Sequence, residues 1–429
     1  MIPTLEPTLI HNAIIPGAPQ GVSRVLFNDR IILAVGGEEI TGAVNKIDAG
    51  GNILLPGVID AHVHFREPGL THKADIATES RAALSGGVTS YFDMPNTVPQ
   101  TTTVQAWHEK MEIAARVSAS NYAFFIGASN ENFDELLKAD FSQIPGIKIF
   151  MGSSTGNMLV DSSLTLEKIF AHFKVPLVIH SEDENIISLN KEKLVRKFNG
   201  NVPVSEHSNI RSEEACVVAT ARALDILARH PDAHLHIAHV STGAEIDLIK
   251  KAKSHGLNVT CEVSPHHLLF TDDDYVRLGS RIKMNPAVKT EADRSALCEA
   301  VRNGTIDIIA TDHAPHTLTE KQGDALTAVS GAPMVQFSLP LMLDMFGPEI
   351  VTRVMSENPA RIFGMKNYGR IAAGCLPNFV IVENLKNGYI VSDAEVVSKC
   401  GWTPITGRRL YHRVVRTILP KPQALKFTR

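Results

Sequence analysis

Cysteine is scarce in this chain. Its five cysteines, Cys216, Cys261, Cys298, Cys375 and Cys400, are scattered through 429 residues, and no two share a Cys-x-x-Cys spacing. That excludes a disulfide framework or a thiolate zinc site and points to reduced thiols in a cytoplasmic setting. The N-terminal stretch Met1-Ile2-Pro3-Thr4-Leu5-Glu6 lacks a basic segment followed by an apolar run, so neither a signal peptide nor a membrane span is expected there. Charge of one sign is not in excess either. A formal net charge of -4 over this length argues against nucleic acid or an acidic membrane surface as partner and leaves small molecules. Solenoid repeats and low-complexity linkers are missing. What is there, 44% hydrophobic and 21% charged residues, suits a soluble globular protein with one large catalytic domain and a smaller one. A homo-oligomer is compatible with this composition.

Residues 1–55 carry the short runs Thr8-Leu9-Ile10, Ile14-Ile15, Val25-Leu26-Phe27 and Ile31 to Val35, punctuated by turn formers. They read as strands and hairpins, too few for a stable domain alone. From residue 56 strand-like runs alternate with helix-like segments. Eight strands are expected: Val58 to His64, Val88 to Asp93, Tyr122 to Gly127, Ile147 to Met151, Pro176 to His180, His234 to His239, Val259 to Val263 and Ile306 to Thr311. Between them, Ala74 to Ser85, Val104 to Ser118, Leu164 to Phe173, Ser212 to Arg229, Ala244 to Ser254 and Glu291 to Arg302 have apolar residues at helical spacing. Eight such units predict an α/β fold, a closed (β/α)8 TIM barrel, over 56–366. Strands return in 367–429 at Phe379 to Val382, Tyr389 to Val391 and Val414 to Ile418, so both chain ends are expected to form one small β-sandwich domain.

The first barrel strand carries the most telling pattern. If Val58 to His64 alternates regularly, Ile59, Ala61 and Val63 share an apolar face, while Asp60, His62 and His64 share the other. Two imidazoles then converge, as zinc or a neighbouring first-row metal requires, although two histidines hydrogen-bonded at a strand end would give the same pattern. Barrel enzymes place their active sites at the carboxyl ends of the strands. Those ends supply His62 and His64, Lys148 in strand four, His180 and His239 after strands five and six, and Asp312 after strand eight. Four histidines and an aspartate at such positions favour a metal site over coincidence. Lys148 is sent inward by the same alternation, with Ile147, Ile149 and Met151 facing the helices. An inward ammonium is costly and has no lone pair, and desolvation beside cations would leave a nucleophilic amine. A lysine salt-bridged inside the barrel is the alternative.

The segments Asp60-Ala61-His62-Val63-His64-Phe65-Arg66-Glu67-Pro68-Gly69, Asp93-Met94-Pro95-Asn96-Thr97 and Thr311-Asp312-His313-Ala314-Pro315-His316 closely resemble the dihydroorotases of the amidohydrolase superfamily. The likeness extends through His180-Ser181-Glu182-Asp183, His239-Val240-Ser241-Thr242 and Glu262-Val263-Ser264-Pro265-His266-His267-Leu268, in order along nearly the whole chain. The resemblance implies a binuclear zinc centre. His62, His64 and Asp312 would hold one Zn2+ ion, His180 and His239 the other, and Lys148, carboxylated on its side-chain nitrogen, would bridge them. Some bacterial members instead use an aspartate in an Asp-Asp-Gly segment a few residues further on. Here that region reads Ser153-Ser154-Thr155-Gly156, which favours Lys148, with Asp161 as the nearby alternative.

The substrates so implied, N-carbamoyl-L-aspartate and L-dihydroorotate, carry a carboxylate that suits a guanidinium fork. Arg66 returns to the face of His64 if the strand stays extended. In the family, the positions of Asn96 and His316 complete this clamp and that of Asn285 contacts the pyrimidine ring, whereas His266 and His267 look structural. The implied mechanism has hydroxide between the metals attack the ring amide carbonyl, with Asp312 as general acid and base, and the reverse reaction cyclises carbamoyl aspartate in pyrimidine biosynthesis. An allantoinase or hydantoinase would share the metal ligands but differ at Arg66 and Met94-Pro95-Asn96. A non-catalytic scaffold would be expected to have lost ligands, and none is missing. The loops at Glu184 to Ile210 and Thr317 to Gly331 are candidates to close over substrate.

Overall fold

The computed structural model describes residues 6–152 and 158–428. The segment Ser153 to Gly156, which bears on the bridging residue, lies outside the described residues. Four short strands open the chain: β1 (Thr8–His11), β2 (Arg24–Phe27), β3 (Ile32–Gly36) and β4 (Asn45–Asp48). They form one sheet in the order β3-β2-β1-β4. β5 (Ile53–Pro56) leaves that sheet. It joins β15 (Phe379–Ile390), which in turn pairs with β16 (Arg409–Ile418). Ile10, Val25, Phe27 and Ile32 meet Leu54, Phe379 and Ile381 between the two sheets, so neither end of the chain has a core without the other. Ile14 makes only an isolated bridge to Ile53, and β4 is a strand that hydrophobicity could not reveal because Asn45, Lys46 and Asp48 are exposed.

The barrel strands are β6 (Val58–Val63), β7 (Val88–Asp93), β8 (Asn121–Phe124) with its continuation β9 (Ile126–Gly127), β10 (Ile147–Phe150), β11 (Pro176–His180), β12 (His234–Ile237), β13 (Val259–Val263) and β14 (Ile308–Ile309). The strands pair in parallel within two runs, β6-β7-β8 and β9 through β14. Closure comes from the segment after β14: the His64 amide donates to His313 O at 2.8 Å, and the Thr311 amide donates to Asp60 Oδ1 at 3.0 Å. The third strand is interrupted at Phe125, and the sixth ends before His239. Helices begin where polar residues can take up their free N–H groups. Asp75 caps 76–85, Ser212 caps 213–229, Thr242 caps 243–254 and Thr290 caps 291–303. Among the described residues no helix is long and apolar enough to cross a membrane.

Regular alternation fails in the first strand. Ile59 and Ala61 lie in the cluster that fills the barrel, but Val63 belongs to the layer between strands and helices. The pairing of β6 with β7 slips between Asp60 and Val63, and this bulge reverses the faces. Asp60 therefore does not join the histidines. Its carboxylate accepts from the Thr311 amide and hydroxyl, and burial raises it to about 6 despite those bonds.

The segment 184–210, a polar, Gly- and Pro-bearing insertion and a candidate to close over substrate, is mostly helical, with helices at Glu184–Lys197 and His207–Ile210. Ile187, Leu194, Val202 and Ile210 pack with Ala325, and the Ala325 amide donates to Val202 O at 2.9 Å. The two candidate closing segments are thus fastened to each other.

The end of the chain closes the floor of the barrel. Leu425 and Phe427 are buried with Phe92, Phe125 and Phe363, and Phe92 meets Phe427 edge to face with ring centres 5.6 Å apart. Phe427→Ala is expected to cost about 3–5 kcal/mol by opening a cavity the rigid strands cannot fill, measured as a lowered denaturant midpoint with unchanged slope.

Candidate active site

His62 and His64 project into the mouth of the barrel from the end of β6. His62 Nδ1 donates to Glu262 of β13, and His64 Nδ1 donates to Asn96 Oδ1 at 2.8 Å. Each ring has spent its proton on an orienting partner, so each Nε2 offers a lone pair. Both face the same oxygen. Asp312 Oδ1 is 3.1 Å from His64 Nε2 and 3.5 Å from His62 Nε2, and the three ligand atoms lie within 4.8 Å of one another. Tetrahedral ligands about 2.1 Å from zinc stand roughly 3.4 Å apart, so this spacing fits. Burial holds the His64 imidazole down at about 4, and despite burial the neighbouring imidazoles keep the Asp312 carboxyl well below the usual range. Neutral imidazoles and an ionised carboxylate are the ligating forms.

His180 ends β11 and donates from Nε2 to Glu182 Oε2 at 2.8 Å, and Glu182 is ion-paired with Arg211. Its free Nδ1 lies 3.0 Å from His239 Nε2. The His239 ring centre is 5.2 Å from that of His62, which brings the four histidines into one cluster. Burial lowers the imidazoles of both His180 and His239. Lys148 points inward from β10 as alternation requires, its Nζ fully buried and without a hydrogen-bond partner, 5.1 Å from the Phe150 ring centre. Desolvation brings its amine to about 8. Asp161 is exposed and accepts from Asn130 Nδ2 at 2.9 Å, away from this cluster.

Arg66 reaches the site by a different route from the one expected. β6 ends at Val63, and Arg66 has φ 68, so it does not continue the extended strand. Its Nε donates to Pro315 O at 3.2 Å, and its Nη2 lies 2.9 Å from His316 Nε2. Burial pulls this guanidinium down to about 10, still a cation at neutral pH. Asn96 spends its Oδ1 on His64 Nδ1. Asn285 Oδ1 accepts from His207 Nε2 at 3.1 Å. His266 and His267 are buried against the Ser264 hydroxyl at 2.9 and 2.7 Å, in structural positions.

Arg66, His239 and Asp312 all have positive φ, at 68°, 36° and 46°. Such backbone is costly for residues with a Cβ and concentrates where a side chain must be aimed. Composition gives no sign of it. The reading of single strand ends also passed over Glu182 and Glu262, which aim His180 and His62, and Lys73, whose Nζ is 3.1 Å from His316 Nδ1. A glutamate two residues after His180 and another inside β13 were the available signals.

Residues 53–403 match the amidohydrolase family. A dihydroorotase of Halobacterium salinarum is 37% identical over 369 residues, 84% of each chain, and one of Lactobacillus helveticus is 33% identical over 409 residues, 92% of this chain and 93% of its own. Among solved structures, the L-hydantoinase (dihydropyrimidinase) of Arthrobacter aurescens superposes with a TM-score of 0.91 at 27% identity, covering 99% of this chain and 98% of its own. The D-hydantoinase (dihydropyrimidinase) of Thermus sp. gives 0.87 at 20% identity, a likeness of fold.

Proposed function

Because this chain belongs to the amidohydrolase family and is a hydrolytic enzyme acting on a cyclic amide, we propose that it is a dihydroorotase, interconverting N-carbamoyl-L-aspartate and L-dihydroorotate. The observation that carries the choice of substrate is the buried Arg66 beside His316, next to the His64–Asp312 cluster. A fixed guanidinium at this depth favours a ring bearing a carboxylate, which hydantoin and dihydrouracil lack.

Residues 56–366 form the catalytic unit in this reading. His62, His64 and Asp312 would hold one zinc ion, His180 and His239 a second, and Lys148, carboxylated on Nζ, would join them. The donor set supports this, because each histidine that donates to a carboxylate or an amide on one side leaves a nitrogen facing its neighbours. Carboxylation would also end the isolation of the unpartnered Nζ of Lys148, because the carbamate it forms would be an anion that bound zinc could neutralise, whereas a buried ammonium there has no partner. Bound zinc supplies charge that acidifies water and polarises an amide carbonyl. Asp312, with Oδ1 turned to the histidines, takes the proton of the attacking water at Oδ2 and returns it to the departing ring nitrogen; its side chain is 11% exposed and that of His62 1%, so Asp312 faces the mouth. Arg66, with Asn96 and His316, holds the substrate carboxylate, and Asn285 lies on the side of the pyrimidine ring. In the cyclising direction the same groups act in reverse order.

The hydantoinase structures make a hydantoinase the second reading. Cyclisation of N-carbamoyl-L-aspartate, measured with zinc content and in parallel with hydrolysis of dihydroorotate, hydantoin and allantoin, separates the two. Turnover of dihydroorotate and carbamoyl aspartate is expected to dominate. Preference for hydantoin or allantoin would reject the proposal.

A further inference from the structure

His316 is fully buried and its two ring nitrogens face two cations. Nε2 meets Arg66 Nη2 at 2.9 Å, and Nδ1 meets Lys73 Nζ at 3.1 Å. Burial and the nearby Arg66 lower the imidazole, so it is neutral and carries one N–H and one lone pair. Both neighbours can only donate while charged. Lys73 is held as an ammonium by Glu320, whose Oε1 accepts from Nζ at 2.7 Å. Burial of the Glu320 carboxyl would raise it, but Lys73 and the Thr317 amide, which donates to Oε2 at 2.9 Å, bring it to about 2.

The single lone pair can serve only one of the two cations, and Glu320 Oε2 stands 3.6 Å from Nδ1. A carboxylate seated between Arg66 and His316 requires the tautomer in which Nδ1 accepts from Lys73 and the ring proton sits on Nε2, pointing toward the Arg66 Nη2 donors. Two N–H groups converging from a buried imidazole and a buried guanidinium make a notch complementary to an anionic oxygen. We infer that Lys73, paired with Glu320, is a positioning residue for substrate. It fixes the Nε2–H tautomer of His316, and so lets His316 and Arg66 together grasp the ring carboxylate. This rests on the carboxylate-bearing substrate proposed above. Lys73 touches no reacting atom, so its contribution falls on substrate binding and leaves the chemical step alone.

The test uses the full-length, zinc-loaded protein with Lys73→Met, Lys73→Arg and Glu320→Gln. For Lys73→Met, KM for L-dihydroorotate is expected to rise roughly tenfold or more with kcat within about twofold of the parent, as loss of a hydrogen bond to a charged group predicts. The dissociation constant of orotate, a ring carboxylate used as a calorimetric probe, is expected to rise in parallel. Glu320→Gln should shift both in the same direction, and Lys73→Arg should restore most of the loss. A fall in kcat at unchanged KM, or unchanged orotate affinity in Lys73→Met, overturns the assignment while leaving the dihydroorotase reading intact. If the parent protein neither turns over dihydroorotate nor binds orotate, both fall. Should it bind orotate without turnover, the orotate affinities alone decide the role of Lys73.

Discussion

Asp312→Asn is expected to lower kcat for dihydroorotate hydrolysis by roughly 10²- to 10⁴-fold, the range associated with losing a positioned general acid and base. The substitution keeps an oxygen ligand and nearly the same shape, so part of the bound metal should remain. What disappears is the proton-accepting carboxylate, which the imidazoles of His62 and His64 keep ionised despite burial. No neighbour can replace it. His62 and His64 have already donated their Nδ1 protons to Glu262 and Asn96, and ligation would take up their remaining lone pairs. Initial-rate kinetics together with metal analysis decide the matter: a metal-bearing variant with near-parental turnover would remove Asp312 from its assigned role.

Glu262→Ala is expected to have the largest effect on the scaffold of the site. This carboxylate is 1% exposed and sits between His62 Nδ1 and His236 Nε2, which lies 3.2 Å from Oε2. Without it two buried imidazole N–H groups lose their acceptor, each costing about 1–3 kcal/mol, and a cavity is added beneath the first metal position. His62 also loses the partner that fixes its tautomer and aim, for which a 10- to 100-fold drop in metal affinity is expected. Denaturant melts report the first consequence and metal titration of the apoprotein the second. Unchanged affinity in a folded variant would mean that His62 is held by something other than Glu262.

Much of the site is legible in the order of residues because a barrel strand ends where its hydrophobic run ends, and each such end faces the same mouth. His62, His64, His180, His239 and Asp312 could be gathered from strand counting, and Lys148 could be turned inward by alternation between Ile147 and Ile149. Alternation misled where the ladder slips. The bulge between Asp60 and Val63 moved Val63 to the helix side, and Asp60 went to brace Thr311. Arg66 was found for a reason that does not hold, since its side chain arrives through a left-handed turn and not along an extended strand.

The chain by itself determined the alternation of strands and helices and the residue types at the strand ends, because hydrophobic periodicity and local capping are written in neighbouring positions. Only the tertiary structure decided the partners. Glu262 lies 200 residues from the histidine it orients, Lys73 lies 243 residues from His316, and Phe427 seals a floor laid by strands some 300 residues earlier. Hydrogen bonds, ring packing and the competition of two cations for one imidazole lone pair depend on distances of a few ångströms. Closing the barrel fixes those distances, and no local pattern encodes them.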